Sequence, residues 1–245
     1  MKLTVIGMWG GFPKKDGPCS GYLIEHNNFS LLIDCGSGVL VKLQEFIDLN
    51  KIDYIILSHY HYDHSSDIGA YLFSRLVNTQ LGRTRNPLSI YGPKDFEMEK
   101  EISAVPYNEF HAIDAHTKLK IGPFNIEFIK TIHPVETYGI RVEGGGKQIV
   151  YTSDTSFTEE LVKFAAGADL LIAESSLYEG MDGEAFGHMT SEEAGILAAR
   201  ANTKETILTH LPHYGDIEEL LVNAKAQGNS QIKLAQPGMV WDSRN

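Results

Sequence analysis

Tyr54-Ile55-Ile56-Leu57-Ser58-His59-Tyr60-His61-Tyr62-Asp63-His64 joins a short apolar run to four metal-capable side chains within six residues. The run from Tyr54 to Leu57, entered after Asp53, reads as a buried strand. Where a strand ends the chain is still extended, so residues two apart project to the same side and His59 and His61 can reach one metal ion. The chain then turns toward a helix expected from about Ser65 to Val77. Asp63 and His64 sit at that turn, which can aim them at a second point close to the first. A solvated His-rich loop is the bland alternative, but composition alone seldom packs donors this densely behind an apolar strand.

Two metal ions need more donors than these, and candidates recur at the ends of other apolar runs. They are His133 in Thr131-Ile132-His133-Pro134, Asp154 in Tyr151-Thr152-Ser153-Asp154-Thr155, and His210 in Leu208-Thr209-His210. One such residue would ordinarily be a packed or capped structural group; three at equivalent places favour ligation. A carboxylate such as Asp154 can bridge two cations and would fix them about 3.5–4 Å apart.

The rest of the chain reads as layered sheets. Strands are expected at Leu3 to Gly7, Tyr22 to Glu25 and Leu31 to Asp34, with Asn27-Asn28 as a turn, and around Leu88 to Tyr91. Further on they fall at Ile126 to Ile129, Tyr138 to Val142, Gln148 to Thr152, Leu170 to Ala173 and Thr206 to Leu208. Gly144-Gly145-Gly146 supplies a hairpin turn. Val39, Leu40, Leu43, Phe46 and Ile47 recur at helical spacing. Helix starts are marked by Ser156 with Glu159, Thr190 with Glu193, and Asp216 with Glu219. Strands first and then alternating strand and helix, in two similar halves, suggest two packed sheets with helices outside, in one domain over residues 1–245.

Composition narrows the function. The 245 residues are 42% hydrophobic, enough for a sizeable core, and 32 acidic against 21 basic side chains give a net charge of −11. That balance argues against general nucleic-acid coating. Two cysteines, Cys19 and Cys35, make no disulfide framework. The apolar runs are too short for a bilayer and the first residues read straight into a strand, so a cytoplasmic location without membrane contact is expected.

The motif HxHxDH (His59, His61, Asp63, His64), with His133, Asp154 in a TSDT segment and His210 in an LTHLPHY segment, resembles the metallo-β-lactamase superfamily over nearly the whole chain. The resemblance implies an α/β fold, the four-layer αββα sandwich, with a dinuclear site at one edge. By the family pattern His59, His61 and His133 hold the first metal, Asp63, His64 and His210 the second, and Asp154 bridges. Such a set suits Zn²⁺ and also accepts Mn²⁺ or Fe. Asp34, in Leu31-Leu32-Ile33-Asp34-Cys35-Gly36, matches the carboxylate beneath the HxHxDH loop, which orients imidazoles.

Glu174, Gly187-His188-Met189-Thr190-Ser191-Glu192-Glu193-Ala194 and Ile207-Leu208-Thr209-His210 look like the ribonuclease Z and PhnP-type phosphodiesterase branch. There His188, held by Glu174, would protonate the leaving oxygen, and Asp63 would orient a hydroxide shared by the ions. His133 and Asp154 are only 21 residues apart, leaving room for a hairpin but not for the long arm with which many ribonuclease Z enzymes grip transfer RNA. The expected substrate is therefore a small phosphodiester, a cyclic nucleotide or a short RNA end. A thioester or lactone hydrolase on the same seven ligands is the alternative. A homodimer is a family-level expectation. His213 stands where the ribonuclease group often carries Arg and is either a phosphate contact or a surface residue. In the loop from Gly7 to Lys15, Trp9 and Phe12 could stack on a base and Lys14 or Lys15 could meet a second phosphate; a Gly-rich turn with one packed aromatic is the plainer reading.

Overall fold

Fourteen strands form two seven-stranded sheets in a computed structural model that describes residues 1–15, 17–229 and 231–244. In chain order the strands are β1 (Lys2–Gly7), β2 (Gly21–His26), β3 (Phe29–Ile33), β4 (Tyr54–Ile56), β5 (Leu88–Pro93), β6 (Asn108–Ile113), β7 (Lys118–Ile121), β8 (Phe124–Lys130), β9 (Tyr138–Gly144), β10 (Lys147–Tyr151), β11 (Leu170–Glu174), β12 (Glu205–Thr209), β13 (Ile232–Leu234) and β14 (Val240–Asp242). The helices are α1 (Val39–Leu43), α2 (Tyr62–Ser65), α3 (Ile68–Gln80), α4 (Phe96–Ala104), α5 (Glu159–Phe164), α6 (Gly183–Phe186), α7 (Ser191–Arg200) and α8 (Ile217–Ala226). The first sheet runs β14-β1-β2-β3-β4-β5-β6 and the second β13-β12-β11-β10-β9-β8-β7.

Period-two alternation builds the layers. Tyr22, Ile24, Leu31 and Ile33 of the first sheet share one buried cluster with Ile126, Ile140, Val142, Ile149 and Tyr151 of the second. Their neighbours Leu23, Leu32 and Ile55 face the other way, against Val39, Leu43, Ile68, Leu72 and Ile102 of α1, α3 and α4. Leu161, Leu197 and Leu220 of α5, α7 and α8 join the cluster of the second sheet. The arrangement is the four-layer α/β sandwich.

Local chemistry sets the turns and caps. Asn27 and Asn28 (φ 50° and 63°) and Gly145 and Gly146 (φ 59° and 72°) take the left-handed conformation that two-residue hairpins require. Thr190 and Glu193 close a reciprocal capping box on α7, and Asp216 caps α8 by accepting from Glu218 N–H. Ser156 does not cap α5: its hydroxyl donates to the Gly183 carbonyl, and Thr158, in extended backbone, accepts from Leu161 N–H instead. The helix expected from Ser65 is also broken in two. Cys35 N–H takes the His64 carbonyl and Asp67 N–H donates to the Cys35 carbonyl, so the helical ladder cannot continue from α2 into α3.

These pairings decide where the site lies. β3 and β4 are parallel, and β1 is antiparallel to β2, which is antiparallel to β3, so β1, β3 and β4 end at one edge. In the second sheet β10, β11 and β12 are parallel, and β8 shares their direction through β9. The segments leaving these strands carry Gly10 and Gly11, Asp34, His59 to His64, His133, Asp154 and His210, while Glu174 is the last residue of β11.

Candidate metal centre

Three sharp backbone turns aim side chains at the common edge. Asp34, Ser153 beside Asp154, and His210 have φ of 56°, 54° and 53°, rarely adopted by residues with a Cβ. Strain of this kind persists only where its surroundings hold it in place. Here it turns the chain abruptly after β3, β10 and β12.

The seven expected donors converge as two groups. In the first, His59 Nε2 and His133 Nε2 each lie 3.1 Å from His61 Nδ1, and 3.7 and 3.9 Å from Asp154 Oδ2. In the second, His210 Nε2 lies 3.0 Å from Asp63 Oδ2 and 3.3 Å from Asp154 Oδ2. His64 Nε2 lies 3.7 Å from Asp63 Oδ2 and 3.3 Å from Asp154 Oδ1. Asp154 is thus shared by both groups.

The opposite ring nitrogens are already committed. His64 Nδ1–H donates to Asp34 Oδ2 at 2.8 Å, and His133 Nδ1–H to the Gly187 carbonyl at 2.9 Å. Asp34 also accepts from Ser58 N–H, Ser58 Oγ–H and Tyr151 Oη–H, at 2.7, 2.9 and 3.0 Å. With its proton given to Asp34, Ser58 Oγ accepts from His59 Nδ1–H at 3.1 Å. These bonds leave the Nε2 lone pairs of His59, His64 and His133 facing inward.

That donor set fits cations. Four donors placed tetrahedrally at about 2.0–2.1 Å from Zn²⁺ stand about 3.3–3.4 Å apart, and the contacts above straddle that spacing. One proton on His61 Nδ1 cannot serve both neighbouring nitrogens, so lone pairs crowd one point. His64 Nε2 and Asp154 Oδ1 are buried without a hydrogen-bond partner although they face each other. Burial, with the charge of neighbouring His64, holds His59 well below the usual histidine range, while burial lowers His61 and His133, favouring the neutral, ligating form. Burial acts the same way on His64 and His210, but the facing Asp154 outweighs it and both rings are raised. The carboxylates demand positive charge there.

Glu174, wholly buried, organises the neighbouring groups. Its Oε1 accepts from His188 Nδ1–H and from Thr155 N–H, both at 2.9 Å, and its Oε2 accepts from Ser176 Oγ–H at 2.7 Å. Ser176 Oγ in turn accepts from His210 Nδ1–H at 2.7 Å. Burial opposes a charged His188, but the Glu174 charge and hydrogen bond prevail and raise its pKa to about 9. The His188 ring lies 5.1 Å from that of His133 and 5.3 Å from that of His210, one from each group. The pairing of Glu174 with His188 is the one the family resemblance implied. Ser58, Tyr151, Ser176 and Gly11, whose N–H donates to Asp63 Oδ2 at 2.6 Å, were not legible in the sequence; only Ser176, two residues beyond Glu174 on extended chain, carried a spacing signal.

His213 is half-buried, and its Nε2 is already engaged. That nitrogen donates to the Gly10 carbonyl at 3.0 Å, and the ring stacks on Phe12. Lys14 Nζ lies 3.7 Å over the buried Trp9 ring.

A family profile described as "Beta-lactamase superfamily domain" matches residues 30–211. The chain belongs to the beta-lactamase superfamily. Within it, the "Probable metallo-hydrolase YhfI" of Bacillus subtilis (strain 168) is 42% identical over 243 residues, covering 99% of this chain and 100% of that protein. The crystal structure of this metallo-beta-lactamase fold protein gives a TM-score of 0.95 over 98% of each chain. Human tRNase Z, short form, gives 0.78 at 22% identity over 99% of each chain. A diphosphatase from the PhnP family gives 0.76 at 21% identity, over 98% of this chain and 97% of its own. At those identities the likeness is one of fold. Among the described residues no helix is long and apolar enough to cross a membrane.

Proposed function

We propose that this superfamily member is a dinuclear metal-dependent phosphodiesterase acting on small phosphodiesters, cyclic nucleotides or RNA ends. His59, His61 and His133 would hold one divalent ion, Asp63, His64 and His210 the other, with Asp154 between them. When bound, such ions lower the pKa of water toward neutrality and stabilise charge on phosphoryl oxygens.

The Glu174–His188 pair beside both donor groups carries this reading. An alkoxide leaving group needs a proton as the bond to phosphorus breaks, whereas a thiolate, with a parent pKa of about 8.5, departs far more readily without one. A buried carboxylate that fixes an imidazole by its Nδ1–H leaves Nε2 as the nitrogen for that proton transfer. Asp63 is held by the Gly11 N–H, which keeps its carboxylate in place against His210. The fold-level likeness to tRNase Z and to the PhnP-family diphosphatase supports the same chemistry. Between His133 and Asp154 the chain forms only the β9–β10 hairpin, and the net charge is −11, so affinity for a long polyanion is weak and small substrates are favoured.

The test is a leaving-group comparison. His188→Ala should slow cleavage of a diester with an alkoxide leaving group by about 10²–10⁴-fold and slow bis(p-nitrophenyl) phosphate far less, because nitrophenolate departs without a proton. Equal slowing of both would remove His188 from the acid role. Turnover of only a glutathione thioester or an acyl lactone would overturn the phosphodiesterase reading.

A further inference from the structure

The loop after β1 leaves one aromatic face open beside the second donor group. Trp9 is buried and its ring is covered by Lys14, so neither the indole nor that lysine is free. Phe12 is 60% exposed, yet its ring is fixed: it stacks on His213 with centroids 3.7 Å apart and planes 6° from parallel. His213 Nε2–H and Phe12 N–H both donate to the Gly10 carbonyl, at 3.0 and 2.9 Å, and Gly10 N–H donates to the Leu211 carbonyl at 3.2 Å. Both sides of the stack are therefore tied to the same backbone atom. A Cβ at Gly10 would stand 2.6 Å from the His210 ring, so only glycine lets this loop lie so close to a donor. Gly11 N–H touches Asp63, and Phe12 follows it, about 3.8 Å away along the Cα trace.

We propose that the Phe12–His213 stack is a binding platform for a flat aromatic group, such as a nucleobase, carried by the phosphate at the donor groups. This rests on the phosphodiesterase reading and adds a substrate class to it: nucleotide-like esters are preferred over plain alkyl ones. One ring face is backed by His213 and the other is open, so a base adds a third layer to an existing stack. The side chain already packs on one face, which reduces the rotamer freedom lost on binding. Stacking tolerates any base, because each presents a π face.

Calorimetric titration of the metal-loaded protein with adenosine 5′-monophosphate and with ribose 5-phosphate tests the platform, since the two share the ribose phosphate and the second carries a hydroxyl in place of the base. The wild type should bind the nucleotide more tightly by about 5- to 150-fold. Phe12→Leu should erase that ratio and Phe12→Trp should keep it; both leave a large apolar side chain at an exposed position, so their difference isolates the ring. His213→Ala, which removes the backing, should fall between. Equal ratios in all variants, no preference in the wild type, or binding of neither ligand would overturn the proposal. Turnover of bis(p-nitrophenyl) phosphate, followed in parallel, separates the two claims. Hydrolysis with a Phe12-independent ratio refutes the platform alone, and a Phe12-dependent ratio without hydrolysis of any diester refutes the phosphodiesterase reading alone.

Discussion

The two donor groups share Asp154 but differ in what stands behind them. In the first group His61 is only half-buried, and the supports are neutral: a serine hydroxyl behind His59 and a backbone carbonyl behind His133. In the second group all four donors are buried and two are carboxylates. Asp34 stands directly behind His64, and Glu174 stands behind His210 through Ser176. A carboxylate behind an imidazole raises its basicity and fixes its tautomer. On this difference the second group would hold its ion more tightly than the first.

Removing the shared residue should abolish the distinction and have the largest effect. Asp154→Ala should cost both groups a donor, lowering metal content and bringing diester turnover to background, as read by elemental analysis and assay. Full metal content in this variant would contradict the bridging role. Next, Asp34→Asn should weaken the second group by about 10- to 100-fold in metal affinity, measured by chelator competition, and the first group less, because only Ser58 relays the change to His59. In the unmodified protein the same competition should be biphasic, with the first group emptied before the second. Ser176→Ala should narrow that gap from one side, reducing affinity at the second group by about tenfold without moving the first. Equal effects on both phases would reduce Ser176 to general packing.

The smallest effect belongs to a carboxylate remote from both groups. Burial pushes Asp169 up, but Lys204, Gln148 N–H and Lys147 donate to it and hold it below the usual carboxylate range. A depressed folded-state pKa stabilises the protein above the unfolded-state value and loses that contribution as pH falls through the folded-state value. Asp169→Asn should therefore lower stability by about 1 kcal/mol at neutral pH and by progressively less in acid, with both metal phases unchanged. A pH-independent difference in melting would refute this assignment.

How much was legible follows the same division between inside and outside. His59, His133, Asp154 and His210 were readable as candidates because each follows an apolar run, His61, Asp63 and His64 because they crowd the segment after β4, and the full set of seven came from the family resemblance; the central strands were found from their apolar runs. The four strands that the sequence did not announce, β6, β7, β13 and β14, are the four outer edges of the two sheets. β7, β13 and β14 have only three or four residues and β6 buries only its two ends, so each offers little apolar signal to read. The stretch from Gly92 to Ile113, which carries no motif, forms the end of β5, α4 and the edge strand β6; the Pro93 carbonyl accepts from Tyr60 Oη–H behind the histidine loop. Supporting residues were harder to find. Ser58, Gly11 and Tyr151 act through hydrogen bonds set by tertiary approach, which leaves no periodic trace. Ser156 was misplaced because a hydroxyl has many partners and the Gly183 carbonyl was nearer than the backbone N–H the local pattern suggested, while His213, left between a phosphate contact and a surface residue, lies half-buried against Gly10 and Phe12.

The most direct measurement of the two-ion centre is anomalous X-ray scattering from crystals of the metal-loaded protein, recorded at the absorption edge of the bound element. The expected result is two peaks flanking the Asp154 carboxylate, one among His59, His61 and His133 and one among Asp63, His64 and His210. A single peak, or peaks away from Asp154, would contradict a centre in which one carboxylate holds two ions together.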